Sequence, residues 1–205
     1  MFLNSENLLF IMILGITGSI GSGKTTIAGM LKGYGFEVID ADEVAHDVIK
    51  KNSSAYREVI KNFGNEILDG KGNIERKKLR RIVFADSAKL KRLNSIMHPI
   101  IFERIHSMAE KAKKRKKNVV IDAPLLIETD VKSLVDKIIV VQTDMEHAIR
   151  RNPKFLREDI ETIMKFQMSL KEKMRHADFV IDNNDGLDDV KNQVRIILGR
   201  LKQKI

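Results

Sequence analysis

Eight residues, Gly18-Ser19-Ile20-Gly21-Ser22-Gly23-Lys24-Thr25, constrain this chain more than any other feature. They match G-x-x-x-x-G-K-[ST] in full. The apolar run Ile13 to Thr17 precedes them, and Ile27, Met30 and Leu31 follow at helical spacing between Lys24 and Tyr34. Strand, tight loop and helix are therefore predicted in that order. Glycines at 18, 21 and 23 let backbone N–H groups turn inward around phosphates, and the helix starting near Lys24 aims its positive end at them. Gly18, Ser19, Gly21, Ser22, Gly23, Lys24, Thr25 and Thr26 are the candidate ATP-binding residues. Lys24 is expected to reach the β- and γ-phosphates, and the Thr25 hydroxyl to bind Mg²⁺.

Further strands are predicted at Phe36 to Ile39, Asn118 to Ile121, Lys137 to Val141 and Phe179 to Ile181. These runs are rich in Val and Ile without polar alternation, the pattern of parallel strands covered on both faces by crossover helices. The expected fold is α/β, a P-loop NTPase with a doubly wound five-stranded parallel sheet, a helical acceptor-binding insertion and a helical lid. A single P-loop domain is expected over 12–205, with its core at about 12–42, 118–144 and 177–205, an acceptor subdomain at about 43–117 and a lid at about 145–176. Within the insertion a turn is predicted at Asp69 to Asn73, and a helix break at His98-Pro99. Met12 is an alternative start, which makes residues 1–11 a non-native or flexible extension.

Composition narrows the classes of function. Without cysteine there is no disulfide framework and no thiol nucleophile, and a reducing cytoplasm is the simplest compartment. The longest apolar run, Leu8 to Ile16, falls well short of the roughly 20 residues that span a bilayer. A net charge of +9 suits any polyanion: nucleic acid, a membrane surface or a phosphorylated small molecule. Six cations fall within Lys111 to Lys117. They read as a solvated helix end, where the carbonyl dipole favours positive charge, and the lack of interleaved aromatic residues argues against a nucleic-acid surface.

Two carboxylate positions carry the chemistry beyond the glycine loop. Val119-Val120-Ile121-Asp122 ends an apolar strand in a carboxylate, the way a Walker-B aspartate is presented to Mg²⁺, although an Asp at such a boundary also serves as a cap or turn former. Asp40-Ala41-Asp42 ends the second strand, facing the crevice where open α/β sheets bind ligands. Asp42 is the candidate base for an attacking hydroxyl; Asp40 equally reads as a cap for the next helix.

Taken in order, the chain resembles the dephospho-coenzyme A kinases over roughly residues 12–195. The resemblance rests on Gly15 to Thr26, Val38 to Asp42, Arg76 with Leu79 and Phe84, His98-Pro99, Asp122-Ala123-Pro124-Leu125-Leu126-Ile127-Glu128, Gln167, and Ala177 to Asn183. It implies phosphorylation of the ribose 3′-hydroxyl of dephospho-CoA by ATP with Mg²⁺, the last step of coenzyme A biosynthesis. It further implies Lys24 and Asp42 as catalytic residues, Asp42, Arg76 and His98 on the acceptor side, and Thr25 and Asp122 on the metal side. His98 reads equally as a hydrogen-bonding residue of the subdomain core. In the lid this chain has Arg150-Arg151-Asn152-Pro153-Lys154, where the family usually has an Arg followed by Asp and Gly. Arg150, Arg151 and Arg157 are therefore assigned only as a group that meets transition-state charge, against the alternative of a solvated helix face. The competing functions are a nucleoside or nucleotide monophosphate kinase, and a P-loop ATPase with a nucleic-acid partner. Either a monomer or a homo-oligomer suits the leading function.

Overall fold

The computed structural model describes residues 11–151 and 157–203. The expected extension at 1–11, except for its last position, and Asn152, Pro153 and Lys154 of the lid lie outside the described residues.

The elements run β1 (Ile13–Gly18), α1 (Lys24–Gly33), β2 (Glu37–Asp40), α2 (Ala41–Val48), α3 (Ser54–Phe63), α4 (Arg76–Phe84), α5 (Ser87–Lys114), β3 (Val119–Asp122), β4 (Lys137–Gln142), α6 (Met145–Arg151), α7 (Arg157–Lys165), α8 (Leu170–Met174), β5 (Phe179–Asp182) and α9 (Leu187–Gln203). Each predicted strand is present within a residue or two of its expected ends. They form one five-stranded sheet in the order β2-β3-β1-β4-β5. Every pairing is parallel. β1 is central, and chain order reverses across it, so the loop that leaves its carboxyl end opens where such sheets bind ligands.

Leu14 and Ile16 of β1, Val120 of β3, and Ile139 and Val141 of β4 are buried with Ile27 and Leu31 of α1. Their lack of polar alternation follows from this, because both faces of a central parallel strand are covered. On α9, Val190, Val194, Ile197, Leu198 and Leu201 recur at helical spacing and join the same core. Each such side chain contributes about 1.5–3 kcal/mol when fully buried.

The chain divides into two compact units, Ala41–Ser107 and the residues on either side. The unit at Ala41–Ser107 has its own core, in which Ala55, Val59 and Phe63 of α3, Leu79 and Val83 of α4, and Ile96 and Met97 of α5 are buried. Ser53 caps α3 by accepting from the Tyr56 N–H at 2.9 Å. The predicted turn at 69–73 is closed by Asp69, whose Oδ1 accepts from the backbone N–H groups of Lys71 and Asn73 at 2.9 and 2.8 Å.

The expected break at His98-Pro99 is absent. α5 runs unbroken from Ser87 to Lys114 with Pro99 inside it. An interior proline leaves one carbonyl four residues back without its donor, at a cost of about 3 kcal/mol. Pro99 and Ser95, which loses that donor, are both exposed, a setting in which water can take the donor's place. Burial of Ile96 and Met97 before the proline, and of Ile105, Ala109 and Ala112 after it, carries the helix through. The division between the units falls within this helix, between Ser107 and Met108. The basic run from Lys111 closes α5, where Arg115 forms a two-point ion pair with Glu37, 2.8 Å to each carboxylate oxygen.

No helix among the described residues is long and apolar enough to cross a membrane.

Candidate active site

The glycine loop lies between β1 and α1, and its backbone takes conformations that side chains oppose. Gly18, Gly21 and Gly23 have φ of 151°, 73° and 89°. A methyl at Gly18 would run into the Val141 carbonyl of β4, and one at Gly23 into the Asn183 amide. The tight packing explains why glycine stands at these two positions.

Lys24 is 8% exposed, and its Nζ donates to the carbonyls of Gly18 and Ser19 at 3.3 and 3.0 Å. A buried ammonium is thus held over the loop by weak partners that phosphate oxygens can replace. Ser22 Oγ is buried and has no hydrogen-bond partner among the described residues. Thr25 Oγ1 donates to Asp122 Oδ2 at 3.0 Å, joining the first turn of α1 to the end of β3. A hydroxyl and a carboxylate in contact beside a phosphate cradle are hard oxygen donors of the type that Mg²⁺ takes, usually with phosphates and water completing its shell. The residues therefore fit that ion. Thr26, next along α1, is exposed.

The strand ends bring further residues to the loop. Asn183, just past β5, is buried and donates through Nδ2 to the Ser22 carbonyl at 2.7 Å. Arg151, at the end of α6, donates to the Asn183 carbonyl at 2.9 Å, to Asn183 Oδ1 at 3.3 Å and to Thr143 Oγ1 at 3.3 Å. The three arginines grouped by sequence thus differ. Arg151 is anchored beside the loop. Arg157 pairs with Glu146 at 2.6 Å, and this bond and charge raise its pKa above the usual value. Arg150 is exposed on α6.

Of the remaining candidates, Asp40 ends β2 in register with Asp122. Asp42, Arg76 and His98 belong to the unit Ala41–Ser107. There Asp42 is exposed in the first turn of α2, Arg76 is exposed at the start of α4, and His98 is half-buried within α5.

Sequence reasoning left three residues without a role. Asn183 lay in the matched C-terminal run, but nothing in its spacing pointed to the Ser22 carbonyl. Lys173 and Glu128 form an ion pair at 3.0 Å, in which the lysine is 1% and the glutamate 18% exposed. Lys173 sits in Lys171-Glu172-Lys173, which reads as a solvated helix face and carries no signal of burial.

Comparison with known proteins agrees with this geometry. Residues 12–189 match the profile of a family described as dephospho-CoA kinase. The chain is 44% identical over 187 residues to a dephospho-CoA kinase from Fusobacterium nucleatum, covering 90% of this chain and 95% of that one. It also superposes on the solved dephospho-CoA kinase of Campylobacter jejuni with a TM-score of 0.68 and 25% identity, over 94% of this chain and 98% of that one. A solved Thermus thermophilus protein superposes with a TM-score of 0.76 and 30% identity, over 93% and 98% of the two chains. With profile, sequence and fold agreeing over most of its length, this chain belongs to the dephospho-CoA kinase family.

Proposed function

We propose that the chain transfers the γ-phosphoryl group of ATP to the ribose 3′-hydroxyl of dephospho-CoA, giving CoA and ADP in the cytoplasm. The observation that carries the phosphoryl-transfer half of the reading is the contact between Thr25 and Asp122 beside the glycine loop, 3.0 Å between Oγ1 and Oδ2, and the family match over residues 12–189 supports dephospho-CoA as the acceptor. In this reading the loop N–H groups and Lys24 hold the β- and γ-phosphates, and Ser22 offers its hydroxyl to them. Thr25 and Asp122 would hold Mg²⁺, which when bound neutralises charge on the β- and γ-phosphates. Asp42 accepts the proton of the ribose hydroxyl as its oxygen bonds to the γ-phosphorus. The bond from that phosphorus to the bridging oxygen breaks, and ADP leaves. Arg76 and His98 contribute to holding the acceptor. Of Arg150, Arg151 and Arg157, Arg151 is the one whose anchoring beside the loop suits it to meet phosphate charge. The unit Ala41–Ser107 serves as acceptor subdomain and the helices within about 145–176 as lid.

The test is ADP release and product mass with ATP, Mg²⁺ and either dephospho-CoA, a panel of nucleosides and monophosphates, or no acceptor. One added phosphate on dephospho-CoA alone supports the reading, and ADP release without any acceptor defeats it. Asp42→Asn should keep ATP affinity while kcat falls about 10²–10⁴-fold. Near-normal kcat at saturating acceptor would remove Asp42 as the base.

A further inference from the structure

Among the described residues one lysine is buried that the proposed phosphoryl transfer does not use. Lys173 of α8 is 1% exposed. Its Nζ pairs with Glu128 Oε1 at 3.0 Å, donates to the Pro124 carbonyl, and lies 3.4 Å from Thr17 Oγ1. Thr17 Oγ1 in turn donates to the same Pro124 carbonyl at 3.1 Å. Glu128 Oε1 also accepts from the Met168 N–H at 2.9 Å, while its Oε2 is buried with no hydrogen-bond partner among the described residues.

As a source of stability this cluster is poor. Removing an ammonium and a carboxylate from water costs several kcal/mol per ion, and replacing such a pair by apolar groups is often neutral or stabilising. Burial pushes the Lys173 ammonium down from its usual pKa, and the bond and charge of Glu128 offset this only in part. The Glu128 carboxylate is itself left with one oxygen unsatisfied.

The cluster's distinctive property is geometric. The ammonium fixes oxygens from three separate segments. Thr17 stands one residue before Gly18, the first glycine of the loop. Pro124 stands two residues after Asp122, in the turn that leaves β3. Glu128 anchors the Met168 N–H ahead of α8. The backbone ties the same two strand ends together nearby, where the Ala123 N–H donates to the Ile16 carbonyl at 3.0 Å.

We propose that Lys173 is a positioning residue for phosphoryl transfer: by clamping Pro124 and Thr17 it fixes the Asp122 carboxylate against the start of the glycine loop. The proposal rests on the reading of Asp122 as the metal-side carboxylate. Glu128 supplies the counter-charge that lets the ammonium stay buried, and the clamp itself is the pair of bonds to the two strand ends. A misplacement of about 1 Å at a reacting centre can cost on the order of a hundredfold in rate, so a clamp that stabilises nothing can still govern turnover.

The test separates the clamp from the charge balance. Lys173→Met leaves the part-buried Glu128 carboxylate without its counter-charge, so its Tm falls. In Lys173→Met/Glu128→Gln the net charge of the cluster is zero again, and Tm recovers toward the parent. If Lys173 positions Asp122, kcat in this double variant stays down roughly tenfold or more, with the KM for dephospho-CoA unchanged. Mn²⁺ affinity in the presence of ADP, read by electron paramagnetic resonance, weakens in parallel. Recovery of kcat and Mn²⁺ affinity together with Tm overturns the proposal. Thr17→Val removes the Thr17 half of the clamp and leaves the pair with Glu128 and the bond to Pro124 in place; because the clamp needs both strand ends held, unchanged kcat and Mn²⁺ affinity there also overturn it, even if the double variant does not fold. Asp122→Asn is the control. Unchanged Mn²⁺ affinity in Asp122→Asn removes the metal reading of Asp122 and the positioning role with it. Weakened affinity there, with none in Thr17→Val or the double variant, defeats the positioning role alone.

Discussion

Replacing Asn183 by leucine deletes one hydrogen bond donated into the glycine loop while keeping the number and branching of the side-chain heavy atoms. The amide donates to the Ser22 carbonyl at 2.7 Å in a buried setting. Leucine leaves that carbonyl buried without its donor, which costs roughly 1–3 kcal/mol. Arg151 loses an acceptor at 3.3 Å but keeps the Asn183 carbonyl at 2.9 Å and Thr143 Oγ1 at 3.3 Å, so the guanidinium adds little to the loss. A chain of this size shifts by roughly 2–4 °C per kcal/mol, so Tm should fall by about 2–12 °C in a calorimetric or fluorescence melt. If the carbonyl reaches water by turning the loop, ATP binding must turn it back. Each 1.4 kcal/mol of that penalty is about tenfold in affinity, so Kd for ATP rises up to about a hundredfold by titration calorimetry. An unchanged Tm together with an unchanged Kd would refute the reasoning, because it would mean that water already reaches the Ser22 carbonyl.

Gly23→Ala should abolish measurable ATP binding or weaken it at least about tenfold, since a φ of 89° costs an L residue about 1–2 kcal/mol and the methyl also meets the Asn183 amide. Gly29→Ala, with open space at the added methyl inside α1, should instead raise Tm by the helix preference of about 0.5–1 kcal/mol while leaving Kd alone. Pro99→Ala restores the donor to the Ser95 carbonyl and should stabilise α5 by on the order of 1–2 kcal/mol, the helix gain less the entropy that proline removes from the unfolded chain; a lower Tm contradicts the account of the unbroken helix. The Asp69 carboxyl is held below the usual carboxylate range by hydrogen bonds from the backbone and side chain of Asn73, then by the Lys71 N–H. Its folded pKa is thus below its unfolded one, so its contribution is complete above the unfolded value and is lost as pH falls through the folded value. Carboxyl NMR titration should place Asp69 below free aspartate, and a midpoint at or above the free value refutes the turn's role.

Several features of this protein were determined by the sequence alone, because their causes are local. The glycine loop needs backbone angles that only glycine adopts freely, so Gly18 to Thr25 could be read without neighbours. Val- and Ile-rich runs without alternation point to strands buried on both faces, which is why β1, β3 and β4 were legible along with their parallel pairing. The contact between Thr25 and Asp122 was foreseeable in kind, since a phosphate loop and a strand ending in a carboxylate have a usual relation. Tertiary structure decided what depends on burial and on partners distant in the chain. Pro99 reads as a break by its own chemistry, yet apolar side chains on both sides carry α5 through it. Arg151 and Arg157 are alike in a list of cations; the Asn183 carbonyl anchors one, and Glu146 takes the other. Lys173 stands among charged residues that face water, and only the folded chain brings it to Pro124, Thr17 and Glu128. Periodicity reports which face of an element is apolar, whereas the partner of a single charged side chain is set by which segments the whole fold packs around it.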